Sequence, residues 1–159
     1  MIRPCGLHDF EKIYTIINDS AAAYKGIIPE DRWHEPYMPK EELRHEIEAG
    51  VVFWGYEEGG ELIGVMGIQD VQDVTLIRHA YVLPESQGKG IGTRLLDHLK
   101  QITTTRKLLV GTWADAIWAV AYYRTKGFNL MPDKDGLLTR YWNISRRQIE
   151  TSVVLGIDL

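Results

Sequence analysis

The sequence is short of several things, and each shortage excludes something. Cys5 is the only cysteine among 159 residues. Neither an internal disulfide nor a multi-cysteine metal site can form, and no metal ligand set is expected. There is no run of Lys and Arg, and the formal charge is -4. A net acidic chain without a basic stripe does not match a nucleic-acid backbone, so no nucleic-acid partner is expected. No apolar run approaches the roughly 18–20 residues that span a bilayer, so no membrane partner is expected either. The first residues lack the basic-then-apolar pattern of a secretion signal, which leads to the expectation of a cytoplasmic protein. Repeats, low-complexity stretches and linkers are also missing. What remains is ordinary: 45% hydrophobic and 25% charged residues, enough for one compact domain over residues 1–159.

The periodicities are mixed. Phe10, Ile13, Ile16 and Ile17 share one face of a helix expected over Asp9 to Ala23. Tyr24 to Pro39, with three prolines, reads as irregular, and Lys40 to Ala49 as a helix stopped by Gly50. Val51–Tyr56 and Glu61–Ile68 read as a hairpin around Glu57-Glu58-Gly59-Gly60, followed by a strand over Val74–Val82. Ile91, Leu95, Leu99 and Ile102 mark a strong helix. Leu108–Thr112 reads as a buried strand and Ala116–Lys126 as a helix, with Gly127 placed for a left-handed cap. Phe128–Met131 is extended, and Asp133–Asn143 fits helix or strand. Ser145 and Gln148 fit a capping box for one short turn, and Val153–Ile157 a last strand. The order implies an α+β fold with a mixed sheet, partly parallel in its second half.

One segment is more specific. Between a strand ending at Val82 and a helix beginning at Ile91 lies Gln87-Gly88-Lys89-Gly90-Ile91-Gly92. Glycines there let a backbone approach an anion, and a helix N-terminus offers free N–H groups and partial positive charge. The same glycines also suit a plain turn. A Walker A loop is excluded, because no Ser or Thr follows Lys89. A dinucleotide fingerprint is excluded, because the spacing is G-x-G-x-G after antiparallel strands.

The spacing does fit a Gln/Arg-x-x-Gly-x-Gly/Ala loop. Downstream, Ala119-Val120-Ala121-Tyr122-Tyr123-Arg124-Thr125-Lys126-Gly127-Phe128 has the form A-x-x-x-Y-x-x-x-G-F. With both motifs in this order, the chain resembles the GCN5-related N-acetyltransferase (GNAT) family. The resemblance implies a mixed, mostly antiparallel sheet whose central parallel strands splay apart, flanked by helices. It implies acetyl-coenzyme A as cosubstrate. Pantetheine would lie in the splay along the backbone of Tyr81 and Val82. The pyrophosphate would sit on the N–H groups of Gln87, Gly88, Lys89, Gly90, Ile91, Gly92 and Thr93. Lys89 either adds charge there or is a solvated loop lysine.

Acetyl transfer to an amine requires that the amine lose a proton, that the oxyanion be stabilised and that the leaving thiolate gain a proton. Direct attack on a thioester needs no enzyme nucleophile, so Cys5 has no required role. The family's general acid is a tyrosine four residues before Gly-Phe, which is Tyr123 here. Two positions depart from the family pattern. Ala116 stands where many members carry Asn. Arg78 stands where many carry Glu or His on the strand, and a guanidinium cannot act as a base. Arg78 either binds an acidic group of the substrate or pairs within the protein. His79 alternates to the opposite face of the strand unless a bulge re-aims it, and Asp115 is no better placed. A water relay is therefore expected as the base.

By resemblance, the acceptor pocket comes from the early helices and the loop between them. Tyr24, Trp33, His34, Glu35 and Tyr37 fall there, and Tyr24 and Trp33 are taken as substrate contacts. Trp54, Trp113, Trp118 and Trp142 are read as packing. A small-molecule amine is the expected partner. Dimers are common in such proteins, and Val153–Ile157 is the edge through which a homodimer would pair. The competing reading is a non-catalytic acyl-coenzyme A-binding sensor.

Overall fold

Alternating apolar side chains in the middle of the chain build the frame on which everything else is hung. In the structure, a computed structural model describing residues 1–159, seven strands form one sheet. They are β1 (Ile2–Pro4), β2 (Val52–Glu58), β3 (Glu61–Val71), β4 (Val74–Val82), β5 (Lys107–Trp113), β6 (Asn129–Leu130) and β7 (Ser152–Asp158). Their order is β1-β2-β3-β4-β5-β7-β6. All neighbours are antiparallel except β4 and β5, which run parallel. The helices are α1 (Phe10–Ala21), α2 (Lys40–Glu48), α3 (Ile91–Ile102), α4 (Ile117–Thr125), α5 (Lys134–Tyr141) and α6 (Arg146–Glu150). This is the α+β architecture expected. No helix is long and apolar enough to cross a membrane.

The helices cover both faces of the sheet. On one face α3 and α4 pack through Leu95, Leu96, Leu99 and Tyr123 onto Ile77, Leu108 and Val110. Leu95, Leu96 and Leu99 are fully buried, each contributing about 1.5–3 kcal/mol of burial. On the other face α1 and α2 pack through Ile13, Ile16, Ile17 and Leu43 onto Phe53 and Val65. Beside them α5 packs through Leu138 and Tyr141 onto Leu76, Leu109 and Val154.

Three sequence expectations change. Ile2–Pro4 forms an edge strand on β2, too short to show a period. The ambiguous stretch after Asp133 is helical: the Asp133 carboxylate accepts from the Gly136 backbone N–H at 3.3 Å and starts α5. The last strand is not the edge at which a homodimer was expected to pair. It inserts between β5 and β6, because its alternating Ser152, Val154 and Gly156 complete the face under α5. Elsewhere the expectations hold. Ser145 Oγ accepts from the Gln148 backbone N–H at 3.2 Å to start α6. Gly127 takes φ +93 at the end of α4.

Two features of β4 position the site. Its pairing with β5 stops at Ile77–Val110, although β4 runs to Val82 and β5 to Trp113. Beyond that point the strands splay. Its pairing with β3 shifts register between Val65–Tyr81 and Gly67–Arg78, a bulge centred on His79, which takes φ +55.

Candidate active site

The splay leaves two cavities, one toward each face of the sheet. One, of about 420 Å³, lies between the end of β4, the start of α3 and the side of α4. Val65, Met66, Val82, Gln87, Gly92, Leu95, Trp118 and Tyr122 line it. The other, of about 170 Å³, lies toward α5 and α6, with Tyr37, Arg78, His79, Trp113, Trp142, Ile144 and Gln148 in its wall. Tyr24, Ala80, Tyr81, Ala119 and Tyr123 belong to both. The two cavities therefore meet at the splay.

The glycine loop opens at the mouth of the larger cavity. Gly88 and Gly90 take φ +81 and +77, conformations that cost an L side chain about 1–2 kcal/mol. Gly90 is the N-cap of α3 and offers no side chain, and no acidic residue stands in the first turn. None of the backbone N–H groups from Gly88 to Thr93 has a hydrogen-bond acceptor in the protein. An added Cβ at Gly88 or Gly90 would meet nothing within 4 Å, and one at Gly92 would make only ordinary contacts, the nearest at 3.8 Å to the Tyr122 hydroxyl. Unpaired donors, a helix dipole and room above them form a cradle for a pyrophosphate. Lys89 is exposed beside it.

The neighbouring backbone is less free. The Val82 carbonyl accepts from Ser20 Oγ at 2.9 Å and from Gln87 Nε2 at 3.1 Å. A pantetheine amide bonding that carbonyl would have to displace one of them. Thr93 Oγ1 lies 2.9 Å from the Tyr122 hydroxyl, tying α3 to α4. That bond turns Tyr122 toward the loop, and Tyr123 faces the splay. Tyr123 packs between Tyr122 and Phe128, each ring centroid 5.3 Å away. Burial pushes its phenol well above the usual tyrosine range, so it stays protonated at neutral pH. A departing thiolate in the same dry space is raised for the same reason.

In the wall of the smaller cavity the rings of Tyr24 and Tyr37 lie 5.6 Å apart, Tyr24 meets Tyr81 edge-on at 6.3 Å, and Trp113 Nε1 donates to the Tyr37 hydroxyl at 2.7 Å. Tyr24 stacks on Trp118 at 5.9 Å. Of the predicted substrate residues, Tyr24 and Arg78 are in the cavity wall. Trp33 stands behind Tyr37, at 5.8 Å between rings, and lines neither cavity. Three tryptophans read as packing do line cavities: Trp113 and Trp142 the smaller, Trp118 the larger. Trp142 can do so because Gly111, the first residue past the splay point, lets its indole lie 3.3 Å from where a Cβ would stand. Ala116 is fully buried against Ile28 and Trp113 and reaches neither cavity.

Sequence reasoning missed Glu46. It comes from α2, a helix that reads only as amphipathic, and sits between two neighbours on β4. His79 Nε2 lies 2.8 Å from Glu46 Oε2, and Arg78 donates to Glu46 Oε1 and, at 3.0 Å, to Gln69 Oε1. Burial opposes ionisation of Glu46, but the bonds and charges of His79 and Arg78 prevail and hold it below the usual carboxylate range. The bulge puts His79 on the same face as Arg78, against the alternation expected from a regular strand.

A splayed parallel pair, an unpaired N–H cradle and two cavities meeting at a buried tyrosine define a coenzyme A-dependent acyltransferase. The chain belongs to the GNAT family: its residues 18–136 match the acetyltransferase (GNAT) domain model. Acetyl transfer from acetyl-coenzyme A is accordingly its activity. The fold agrees with solved structures. The PaiA N-acetyltransferase of Thermoplasma acidophilum in complex with coenzyme A superposes with a TM-score of 0.76 at 20% identity, over 100% of this chain and 98% of that one. The ribosomal-protein-S18-alanine N-acetyltransferase of Escherichia coli gives 0.69 at 17%, over 99% and 92%. A GNAT acetyltransferase of Elizabethkingia anophelis with acetyl-CoA bound gives 0.65 at 21%, over 100% and 97%. No curated protein matches the chain by sequence.

Proposed function

We propose that this acetyltransferase acts on the primary amine of a small molecule, by direct attack, with Tyr123 as general acid. The observation that carries this reading is the meeting of the two cavities at Ala80, Tyr81 and Tyr123. The N–H groups of Gly88 to Thr93 hold the pyrophosphate, that of Gln87 being taken by the Pro84 carbonyl at 3.4 Å, and the backbone of Tyr81 and Val82 guides pantetheine into the splay. Bound there, acetyl-coenzyme A supplies an activated acyl group. The cavity beyond is small, and 12 of its 18 lining residues are hydrophobic, which suits a compact amine with an apolar body. Tyr24 and Tyr81 keep water from it. Arg78 keeps a role in the acceptor wall, although Glu46 and Gln69 already take two of its donors.

The test is free-thiol release from acetyl-coenzyme A across a panel of amines: amino acids, polyamines, arylalkylamines, aminoglycosides and peptides with free N-termini. The expected result is turnover with a compact small-molecule class. Turnover with peptides alone would overturn the acceptor assignment. Cofactor binding without thiol release from any amine would overturn catalysis and leave a sensor.

A further inference from the structure

The acceptor face contains one polar cluster that the mechanism above does not use. The bulge in β4 holds His79 at φ +55, a conformation uncommon outside glycine that Asn, Asp and His adopt more readily than other residues. Three contacts fix the ring there. Its Nε2 is 2.8 Å from Glu46 Oε2, its face stacks on Phe53 at 6.2 Å and 20°, and its neighbour Arg78 grips the other oxygen of the same carboxylate. An ionised carboxylate only accepts, so in the neutral imidazole Nε2 carries the hydrogen. Nδ1 is then the bare lone pair. It has no hydrogen-bond partner in the protein, is not among the sealed polar atoms, and belongs to a residue in the cavity wall that also includes Tyr123. The arrangement follows the logic of a carboxylate fixing the tautomer of a catalytic histidine.

We propose that His79 is the general base of the transfer and that Glu46, reached from α2, is its positioning residue. The proposal rests on the acetyl-transfer reading above. The balance is simple. Nδ1 of His79 takes one proton from the acceptor ammonium. The freed nitrogen pair forms the bond to the acyl carbon, and the carbon–sulfur bond breaks. Tyr123 gives its phenolic proton to the sulfur and regains one from the new amide nitrogen. His79 returns its proton to solvent. The groups facing His79 are Glu46 and His45 of α2, Arg78 of β4 and the phenols of Tyr24, Tyr37, Tyr81 and Tyr123 around the cavity. Of these, only Glu46 is a carboxylate.

The test uses His79→Asn and Glu46→Gln, read by kcat, by the pH profile of kcat/KM and by acetyl-coenzyme A affinity. Asparagine tolerates positive φ, so backbone strain does not confuse the result. Wild-type kcat/KM should fall toward acid, where imidazolium cannot accept a proton. His79→Asn should lower kcat about 100-fold or more, abolish that acid limb and leave acetyl-coenzyme A affinity within about twofold. Glu46→Gln should lower kcat about 10-fold, because an amide facing Nε2 no longer has to accept and the tautomer with Nδ1 bare loses its preference. Nitrogen NMR of the neutral His79 ring should show Nε2 protonated in the parent and a mixture of tautomers in Glu46→Gln. A His79→Asn enzyme that keeps the acid limb, whatever its kcat, overturns the base assignment. A His79 tautomer unchanged by Glu46→Gln overturns the positioning role. A wild-type enzyme silent with every amine overturns the transfer reading itself, and differs from failure of His79 alone because the parent is already inactive.

Discussion

The two cavities that meet at Tyr123 are built by opposite means. The coenzyme side uses main chain: six consecutive N–H groups at the start of α3, freed by Gly88 and Gly90. The acceptor side uses side chains brought from far apart: Tyr24 and Tyr37 from the early loop, Glu46 behind a bulge in β4, Trp142 and Gln148 from the end of the chain. A main-chain site constrains which residues stay small and leaves the other side chains free. A side-chain site constrains identity at scattered positions. The first can be kept while the second is rebuilt, which suits a family of one donor and many acceptors.

The sharpest way to separate the two is at Gly92. Gly92→Leu should abolish measurable acetyl-coenzyme A binding while the fold survives, because its Cβ has only ordinary contacts and its φ is helical. The melting temperature should hold or rise slightly, since glycine in a helix is unfavourable by about 1 kcal/mol relative to alanine. Gly90→Ala should lose stability as well, by about 1 kcal/mol, since φ +77 is strained for alanine. Equal melting losses in both variants would break the distinction. At the junction, Tyr123→Phe should lower kcat about 100-fold with acetyl-coenzyme A affinity nearly unchanged. An unchanged kcat would remove Tyr123 from the mechanism and leave it as a packing residue between Tyr122 and Phe128.

The same contrast explains what could be read from the sequence. The coenzyme side was legible because its determinants are contiguous: one glycine loop, and one tyrosine four residues before Gly127-Phe128. Most of the frame was legible through apolar periodicity, including α1, α3 and the β2–β3 hairpin. Strand β1 was not, because three residues show no period. The place of β7 was not, because strand order is a tertiary choice that local pattern does not encode. On the acceptor side Tyr24 and Arg78, named from the sequence, stand in the cavity wall, whereas Glu46 was not named. Its role depends on a one-residue register shift in β4 that moves His79 to the opposite face. No local signal marks that shift except Gly67, where a Cβ would stand 2.8 Å from the Arg78 carbonyl.

A control should leave the two sides undivided. Asp9 is nearly buried under β1 and accepts two bonds from Arg3, each at 2.9 Å, and one from the Gly6 N–H at 2.8 Å. The Arg3 bonds, opposed by burial and aided by Gly6, hold its carboxyl at about 2. A depressed folded pKa contributes stability above the unfolded value of about 4, and that stability is lost as pH falls through about 2. Chemical denaturation of the parent between pH 5 and 2 should show a decline of order 2 kcal/mol from this group, which Asp9→Asn removes. At neutral pH the variant should be less stable by a similar amount, with donor and acceptor KM unchanged. A selective change in either KM would tie the N-terminal strand to one of the two sites.

The smallest effect expected tests how the acceptor wall is held. Arg147 of α6 bonds Asp31 twice, at 2.8 and 3.1 Å, and the adjacent Gln148 accepts from Arg32 at 3.5 Å. These contacts tie α6, whose Gln148 lines the smaller cavity, to the early loop. Both partners of the ion pair are about half exposed, at 45% and 57%, so solvent screens the pair and it adds little to stability. Its effect on the acceptor should be positional. Arg147→Ala should raise acceptor KM no more than about fivefold, leave acetyl-coenzyme A binding unchanged, and reduce the salt dependence of acceptor KM. Asp31→Asn should match it, and the double variant should be no worse than either alone, because one contact has been removed twice. Additive losses would mean that the two residues touch the acceptor separately, and the wall would then be an electrostatic surface rather than an apolar one held by a latch.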